Sequence, residues 1–410
     1  METINKKDRQ ILRNLAKHRQ ELHNSEKNLR NIKDWLSHNT FCGARPMVHL
    51  EISFRHELIP QRLKCEGQLA RHLEEKLWEG VINHEVIGDD YPITDYFHIE
   101  WGAQHTPFGI DTEIIHATGT SLALGYKIDY PIRDLKADFF KFGQSKYTIN
   151  KPATMAYAAV AADVFGDILP VKIASSAFKV CPTRFFVHVM GMEALLFSMY
   201  DYPELFHEIM GRFADDTLSY FRFLEENGAV NPTVSGEYLG QGSWCYTDEL
   251  PASGPVTSKD MWGFLDSQES VGISPEMFKE MIFPYYKKIA DQFGLLSFGC
   301  CEPVHPFWDT LSTLDNLRKI TISPWCDEEF MGEVLRGRKT VYHRKPSSNF
   351  LGVGINLDED GLRKHIAKTI QAARGCTLEI TQRDVYTIHH NEAKARRFIE
   401  IIREEIENHW

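Results

Sequence analysis

Four consecutive residues, Gly299-Cys300-Cys301-Glu302, carry the sharpest chemical signal in the chain. Thiolate and carboxylate are natural ligands of Zn²⁺. Adjacent cysteines at a strand end point their side chains apart, so one thiol together with Glu302 is the expected contribution to a metal site. Two alternatives stand beside it. One is nucleophilic or acid/base chemistry. The other is packing alone: a buried Cys, a partly exposed Cys and a Glu that caps the helix beginning near Pro303. Cys42, Cys65, Cys181, Cys245 and Cys376 are scattered and read as packing residues, because a free Cys behaves as a small hydrophobe. Cys326 follows one strand after the pair.

Further polar groups stand at or just past expected strand ends. They are His49 and Glu51; Glu237 and Gln241; Ser323, Trp325 and Asp327; His343, Arg344 and Lys345; and Gln382, Arg383 and Asp384. His343-Arg344-Lys345 is a basic cluster suited to a carboxylate or phosphate on a substrate, or else a solvated charge run. Gln268-Glu269 follows the aromatic stretch Trp262-Gly263-Phe264 and is a candidate pocket lining or ordinary packing. His389-His390 lies between the last strand and the last helix and reads as solvated.

The elements that must position these groups alternate. Helices are expected at 152–166, 191–200, 203–227, from Ser274-Pro275 to about 293, at 303–313, 327–336, 358–374 and 391–408. Strands are expected at 47–52, 171–174, 234–237, 295–300, 318–323, 339–344 and 376–382. Ser274 as N-cap with Pro275 behind it, and Pro203 and Gly228 at the two ends of one helix, are ordinary helix punctuation. Alternation of this kind specifies a parallel sheet. The expected fold is an α/β (β/α)8 TIM barrel, 46–410, with an N-terminal helical arm, 1–45, that packs on the barrel or on a second subunit of a homodimer. In such a barrel the loops after the strands form the active site. The stretch 80–150 is irregular and is read as strands with long excursions over the barrel mouth. No Gly-rich dinucleotide or phosphate-binding pattern is present.

Composition narrows the function classes. A net charge of −11 over 410 residues argues against a general nucleic-acid binder. No run approaches the roughly 18–20 apolar residues that span a bilayer, and the charged start Met1-Glu2-Thr3-Ile4-Asn5-Lys6-Lys7 is no signal peptide. A cytoplasmic location is expected.

The order of several segments resembles the uroporphyrinogen decarboxylase superfamily. These are Val189-Met190-Gly191-Met192-Glu193-Ala194-Leu195-Leu196, then Tyr202-Pro203-Glu204-Leu205, then Phe221–Ala229, which ends in Gly228-Ala229. The Ser274-Pro275-Glu276 helix start and Phe293-Gly294 before a strand also fit. The resemblance covers about residues 150–390 and implies a (β/α)8 barrel. It also implies one of two chemistries: decarboxylation of tetrapyrrole acetate arms, or zinc-dependent methyl transfer involving a corrinoid on a separate protein. Arg45-Pro46-Met47 does not match the decarboxylase's Arg-rich motif, so the methyltransferase branch is the closer resemblance. That branch has His-x-Cys where this chain has Phe298–Glu302: a Cys is kept and the His is absent. A second family Cys falls where this chain has Asp384.

The expected function is therefore a methyltransferase that moves a methyl group from a small methylated substrate, such as a methyl ether, to a corrinoid on a partner protein. Zinc would be held by Cys301, Glu302, Glu237 and Asp384 in some combination. Glu237, Glu302 and Asp384 are the catalytic candidates, and His49, Gln268, Trp325, Arg344 and Lys345 the substrate-binding candidates. The alternatives are a metal-independent decarboxylase or lyase acting on a carboxylated substrate, and a non-catalytic barrel that binds.

Overall fold

Seven short strands form one sheet in the computed structural model, which describes residues 4–116 and 125–410. They are β1 (Met47–Leu50), β2 (Phe178–Val180), β3 (Trp262–Leu265), β4 (Leu295–Phe298), β5 (Leu317–Ile322), β6 (Val341–Arg344) and β7 (Leu378–Gln382). Their spatial order is β1-β7-β6-β5-β4-β3-β2, and every neighbouring pair is parallel. Where eight strands were expected, seven are paired here, with β1 and β2 at the two edges. Both edges nevertheless reach one side chain. The Tyr238 hydroxyl donates to Glu51, just past β1, over 2.7 Å, and Lys179 Nζ of β2 lies 4.2 Å from the centre of the Tyr238 ring.

The strands are buried on both faces, as parallel strands covered by helices must be, and the two faces differ. Val48, Leu50, Leu265, Leu296, Phe298, Ile320, Ile322, Tyr342, Leu378 and Ile380 join the main apolar core with the helices. The alternate residues His49, Ser297, Lys319, Thr321, His343, Glu379 and Thr381 are buried on the other face. This second face is polar. Lys319 Nζ donates to Glu379 Oε2 at 2.7 Å and to Ser243 Oγ at 2.6 Å. His343 shares a hydrogen bond with Thr381 at 2.9 Å. Burial pushes the His343 pKa down to about 3, with Lys319 and Lys345 adding to the effect against Glu379.

Several expectations shift. The arm at 6–40 is two helices, Lys6–His23 and Glu26–Asn39, and the second is N-capped by Ser25. It is anchored to the body by Asn39, which donates to the Trp244 and Tyr246 carbonyls, and by Trp35, which donates to the Asp90 carbonyl. Residues 171–173 form a strand, but it pairs with Phe97–Ile99 in a separate two-stranded parallel sheet. The strand that joins the main sheet comes seven residues later. No strand forms at 234–237, because the Glu237 carboxylate accepts from Ser235 N at 2.7 Å and curls the chain. The hairpin Tyr238–Gly240/Ser243–Trp244 follows instead. The helix expected at 191–200 is Pro182–Asp201, interrupted where Gly191 takes φ 79°. A side chain there would press on the Tyr130 ring, which accounts for the glycine. In the 80–150 excursion, Ala103–Thr106 pairs with Lys146–Ile149 and Glu113–His116 with Tyr126–Asp129, all antiparallel. Residues 117–124 of that stretch and 1–3 of the charged start lie outside the described residues. Among the described residues, no helix is long and apolar enough to cross a membrane.

Candidate active site

Two residues beyond the last inward-facing residue of their strands stand Glu51, Cys181, Asp266, Ser323, Lys345 and Arg383, and Cys301 stands four beyond Ser297. All belong to the loops at the carboxyl ends of the strands, the end at which parallel sheets of this kind carry ligands. The hairpin tip Gln241-Gly242 reaches in among them. Gly242 has φ 77°, and a Cβ there would lie 2.3 Å from Thr381 Cγ2. Only glycine lets the tip seat on β7.

Lys345 is the hub. Its buried ammonium donates to the Cys300 carbonyl at 3.0 Å and to Gln241 Oε1. Burial lowers its pKa, and the two neighbouring thiols and Asp384 oppose that shift. Cys300 and Cys301 bring their sulfurs to 3.5 Å. Hydrogen bonding from the Cys300 thiol lowers the Cys301 pKa to about 6. The Lys345 and Arg383 charges act in the same direction, while burial and Asp384 oppose them. The Cys300 thiol is pushed up by that same bond and by burial. The Cys301 thiol is thus shifted toward its thiolate form in a half-buried position, the microenvironment of a reactive cysteine.

Arg383 completes the basic side. Its guanidinium lies 3.6 Å from Glu51 and 3.2 Å from Asp384. Glu302 is fully buried, and both its oxygens are engaged. Oε1 accepts from Ser267 N at 3.0 Å and Oε2 from Cys300 N at 2.8 Å. Burial and the nearby Asp266 charge raise its pKa to about 7. It ties the loop after β3 to the loop after β4 and so positions the cysteines.

Of the residues singled out from sequence, the structure gathers Cys301, Glu302, Lys345 and Asp384. Glu237 stands apart, fully buried, accepting from Ser235, from the Tyr96 hydroxyl at 3.1 Å and from Lys172 at 3.3 Å. Arg344 points the other way from Lys345, as strand alternation demands. It donates to the Ile322 and Ser323 carbonyls and pairs with Glu328 at 2.6 Å in the helix layer. His49 is buried with Nδ1 2.8 Å from Asp89 and lines a cavity of about 690 Å³ beside β1. Gln268 lies half-buried in a short turn after β3. Trp325 is 74% exposed on the rim.

Sequence reasoning missed Cys181, Arg184 and Asp266. Cys181 Sγ donates to Asp266 at 3.0 Å, and Arg184 lies 3.1 Å from the same carboxylate and 3.7 Å from Glu269. The signal available was Cys181-Pro182, a helix start directly after a β-rich triplet.

The zinc set implied by the resemblance does not fit these positions. Glu302 is taken up by two amides, Glu237 by three donor groups remote from the thiols, and Asp384 by Arg383. Among the described residues, no three His, Cys, Asp or Glu side chains form a metal-holding group.

No family model matches the chain, and no curated protein matches it. Among solved structures the chain is similar to a methyltransferase from Methanosarcina mazei. The match covers 91% of this chain and 98% of that one, with a TM-score of 0.50 and 11% identity. At that identity the likeness concerns the fold.

Proposed function

We propose that this chain is a methyl-group transferase of the uroporphyrinogen decarboxylase type, with Cys301 as the group that carries the methyl. The observation behind this reading is the Cys300–Cys301 thiol pair, sulfurs 3.5 Å apart, with Lys345 donating to the Cys300 carbonyl at the carboxyl end of a parallel sheet. The fold shared with a methyltransferase supports it. The donor is a small methylated compound, with methyl ethers among the candidates.

Two half-reactions follow. In the first, Cys301 sulfur attacks the methyl carbon of the donor. The S–C bond forms as the carbon–heteroatom bond breaks, and the electron pair leaves on the heteroatom. Lys345 and Arg383 stabilise that developing charge, and the Lys345 ammonium, its pKa lowered by burial, is the proton donor to it. Glu302 holds the thiols in place. In the second, the methyl group leaves Cys301 for the acceptor. A corrinoid carried by a partner protein would supply a cobalt nucleophile able to take it. Exposed apolar side chains on the loops after β3, β5, β6 and β7, namely Val271, Trp325, Val353, Ile355 and Tyr386, give that partner an apolar rim on the face that carries Cys301.

The test is methyl transfer to cob(I)alamin from a panel of methyl ethers, methyl thioethers and methylamines, followed by the visible spectrum of methylcobalamin. Product formation by the native chain and none by Cys301→Ala supports the reading. No transfer from any donor, with carbon dioxide release from carboxylated substrates that survives Cys301→Ala, favours the lyase.

A further inference from the structure

A cavity of about 690 Å³ opens beside β1, on the side where Phe97–Ile99 pairs with Val171–Ile173 instead of joining the main sheet. Small-molecule sites fall at roughly 300–1,000 Å³. Six aromatic side chains form much of its wall: Trp78, Tyr91, Phe97, Tyr157, Tyr238 and Trp244.

The polar groups on that wall are unbalanced. Arg19 Nε, Trp78 Nε1, Trp244 Nε1 and the Tyr157 hydroxyl are buried with no hydrogen-bond partner among the described residues. Trp244 and Arg19 are themselves more than nine-tenths buried. Indole and guanidinium nitrogens only donate, and these atoms are sealed from the open space of the cavity. The lining holds Arg19, Arg55 and Lys76 against Glu51, Glu79 and Glu100, but the three cations gather at one end, around Glu79. Arg55 and Lys76 share the single carboxylate of Glu79, with Lys76 at 3.0 Å. Arg19 adds a third cation, donating to the Glu79 carbonyl at 2.5 Å. At the inner end, Glu51 already has Arg383 at 3.6 Å and the Tyr238 hydroxyl at 2.7 Å. His49 there is paired with Asp89 at 2.8 Å.

We propose that this cavity binds an aromatic acid. Its ring lies between the aromatic walls and its carboxylate at the Arg55–Lys76 end. The inner end reaches Glu51 and Tyr238, and Glu51 faces Arg383 of the Cys301 site. Resting on the methyl-transfer reading for its role alone, the ligand is then the methyl donor, an aryl methyl ether bearing an acid group.

The experiment is calorimetric binding to the full chain. The probes are 4-methoxybenzoate, neutral anisole, cyclohexanecarboxylate and benzyltrimethylammonium. The expected order places 4-methoxybenzoate tightest, with the quaternary cation not bound. Arg55→Gln should weaken 4-methoxybenzoate at least tenfold and leave anisole within twofold, and Arg55→Lys should restore most of the loss. Arg55 is about half exposed, so these variants fold. Equal binding of the cation, or an unchanged affinity in Arg55→Gln, overturns the proposal. Cys301→Ala should bind 4-methoxybenzoate normally. Binding without methyl transfer would remove this ligand's role as methyl donor and leave the cavity's ligand class standing, whereas the transferase reading itself fails only if no donor of the panel transfers.

Discussion

The Tyr238 hydroxyl donates to Glu51 Oε2 over 2.7 Å, and this bond joins the inserted hairpin to the end of β1. The other edge strand touches the same ring through Lys179. Tyr238→Phe keeps the ring and removes the bond. The expected loss is about 1.5–3 kcal/mol, the range for a hydrogen bond to a charged group, read by urea unfolding. Tyr238→Ala should cost more, because the ring that spans the two edges goes with it. Equal stability of the phenylalanine variant and the native chain would mean that the bond does not brace the edges.

Inside the sheet, Lys319 and Glu379 form a pair with no exposure on either side. His343 and His38 lie 3.4 and 3.5 Å from the same carboxylate. Lys319→Met strands a buried carboxylate, and a loss of about 3–5 kcal/mol is expected. Lys319→Met combined with Glu379→Leu removes both charges and should recover much of that loss. Denaturant midpoints for the two variants check the sign: the double variant must be the more stable.

The Cys301 thiol should titrate near pH 6. Its alkylation by iodoacetamide, followed as the modified Cys301 peptide, should rise through that pH and level off above it. Thiolate reacts and thiol does not. Lys345→Met removes a cation that favours the thiolate, so the midpoint must move up. Asp384→Asn removes an anion that opposes it, so the midpoint must move down. A midpoint near the ordinary thiol value, unmoved by either change, would remove the electrostatic basis of the site.

Much of this architecture is written in local signals. Ser274 caps its helix as expected, accepting from Met277 N, β4, β6 and β7 fall within the expected strand spans, and β5 begins one residue before its own. Their apolar outer faces and flanking helices mark them. β2 escaped because Phe178-Lys179-Val180 and Val171-Lys172-Ile173 carry the same apolar–lysine–apolar triplet, and only the pairing in the fold decides which of them joins the main sheet. The site was legible where alternation could be counted. Lys345 and Cys301 stand at strand ends and turn inward. Arg344, one residue earlier, must face the helices, so the basic run divides between binding and packing. Glu237 was out of reach, because its strand-like setting is undone by a bond to Ser235 that no periodicity reveals. Asp266 pairs with Cys181 and Arg184, contacts made across 85 and 82 residues of chain, and nothing local announces them.

The methyl-carrying role of Cys301 is tested most directly by the mass of its peptide. The full chain is incubated with methylcobalamin, which stands in for the methylated partner, then digested. The account requires a gain of one methylene, about 14 Da, on Cys301. The gain should be lost in Lys345→Met, where the thiolate is less favoured, and retained in Arg344→Lys, whose side chain points away from the thiols to the Ile322 and Ser323 carbonyls and Glu328. Methylcobalamin consumed with Cys301 unmodified throughout, or a methyl group found on Cys300 instead, would contradict it.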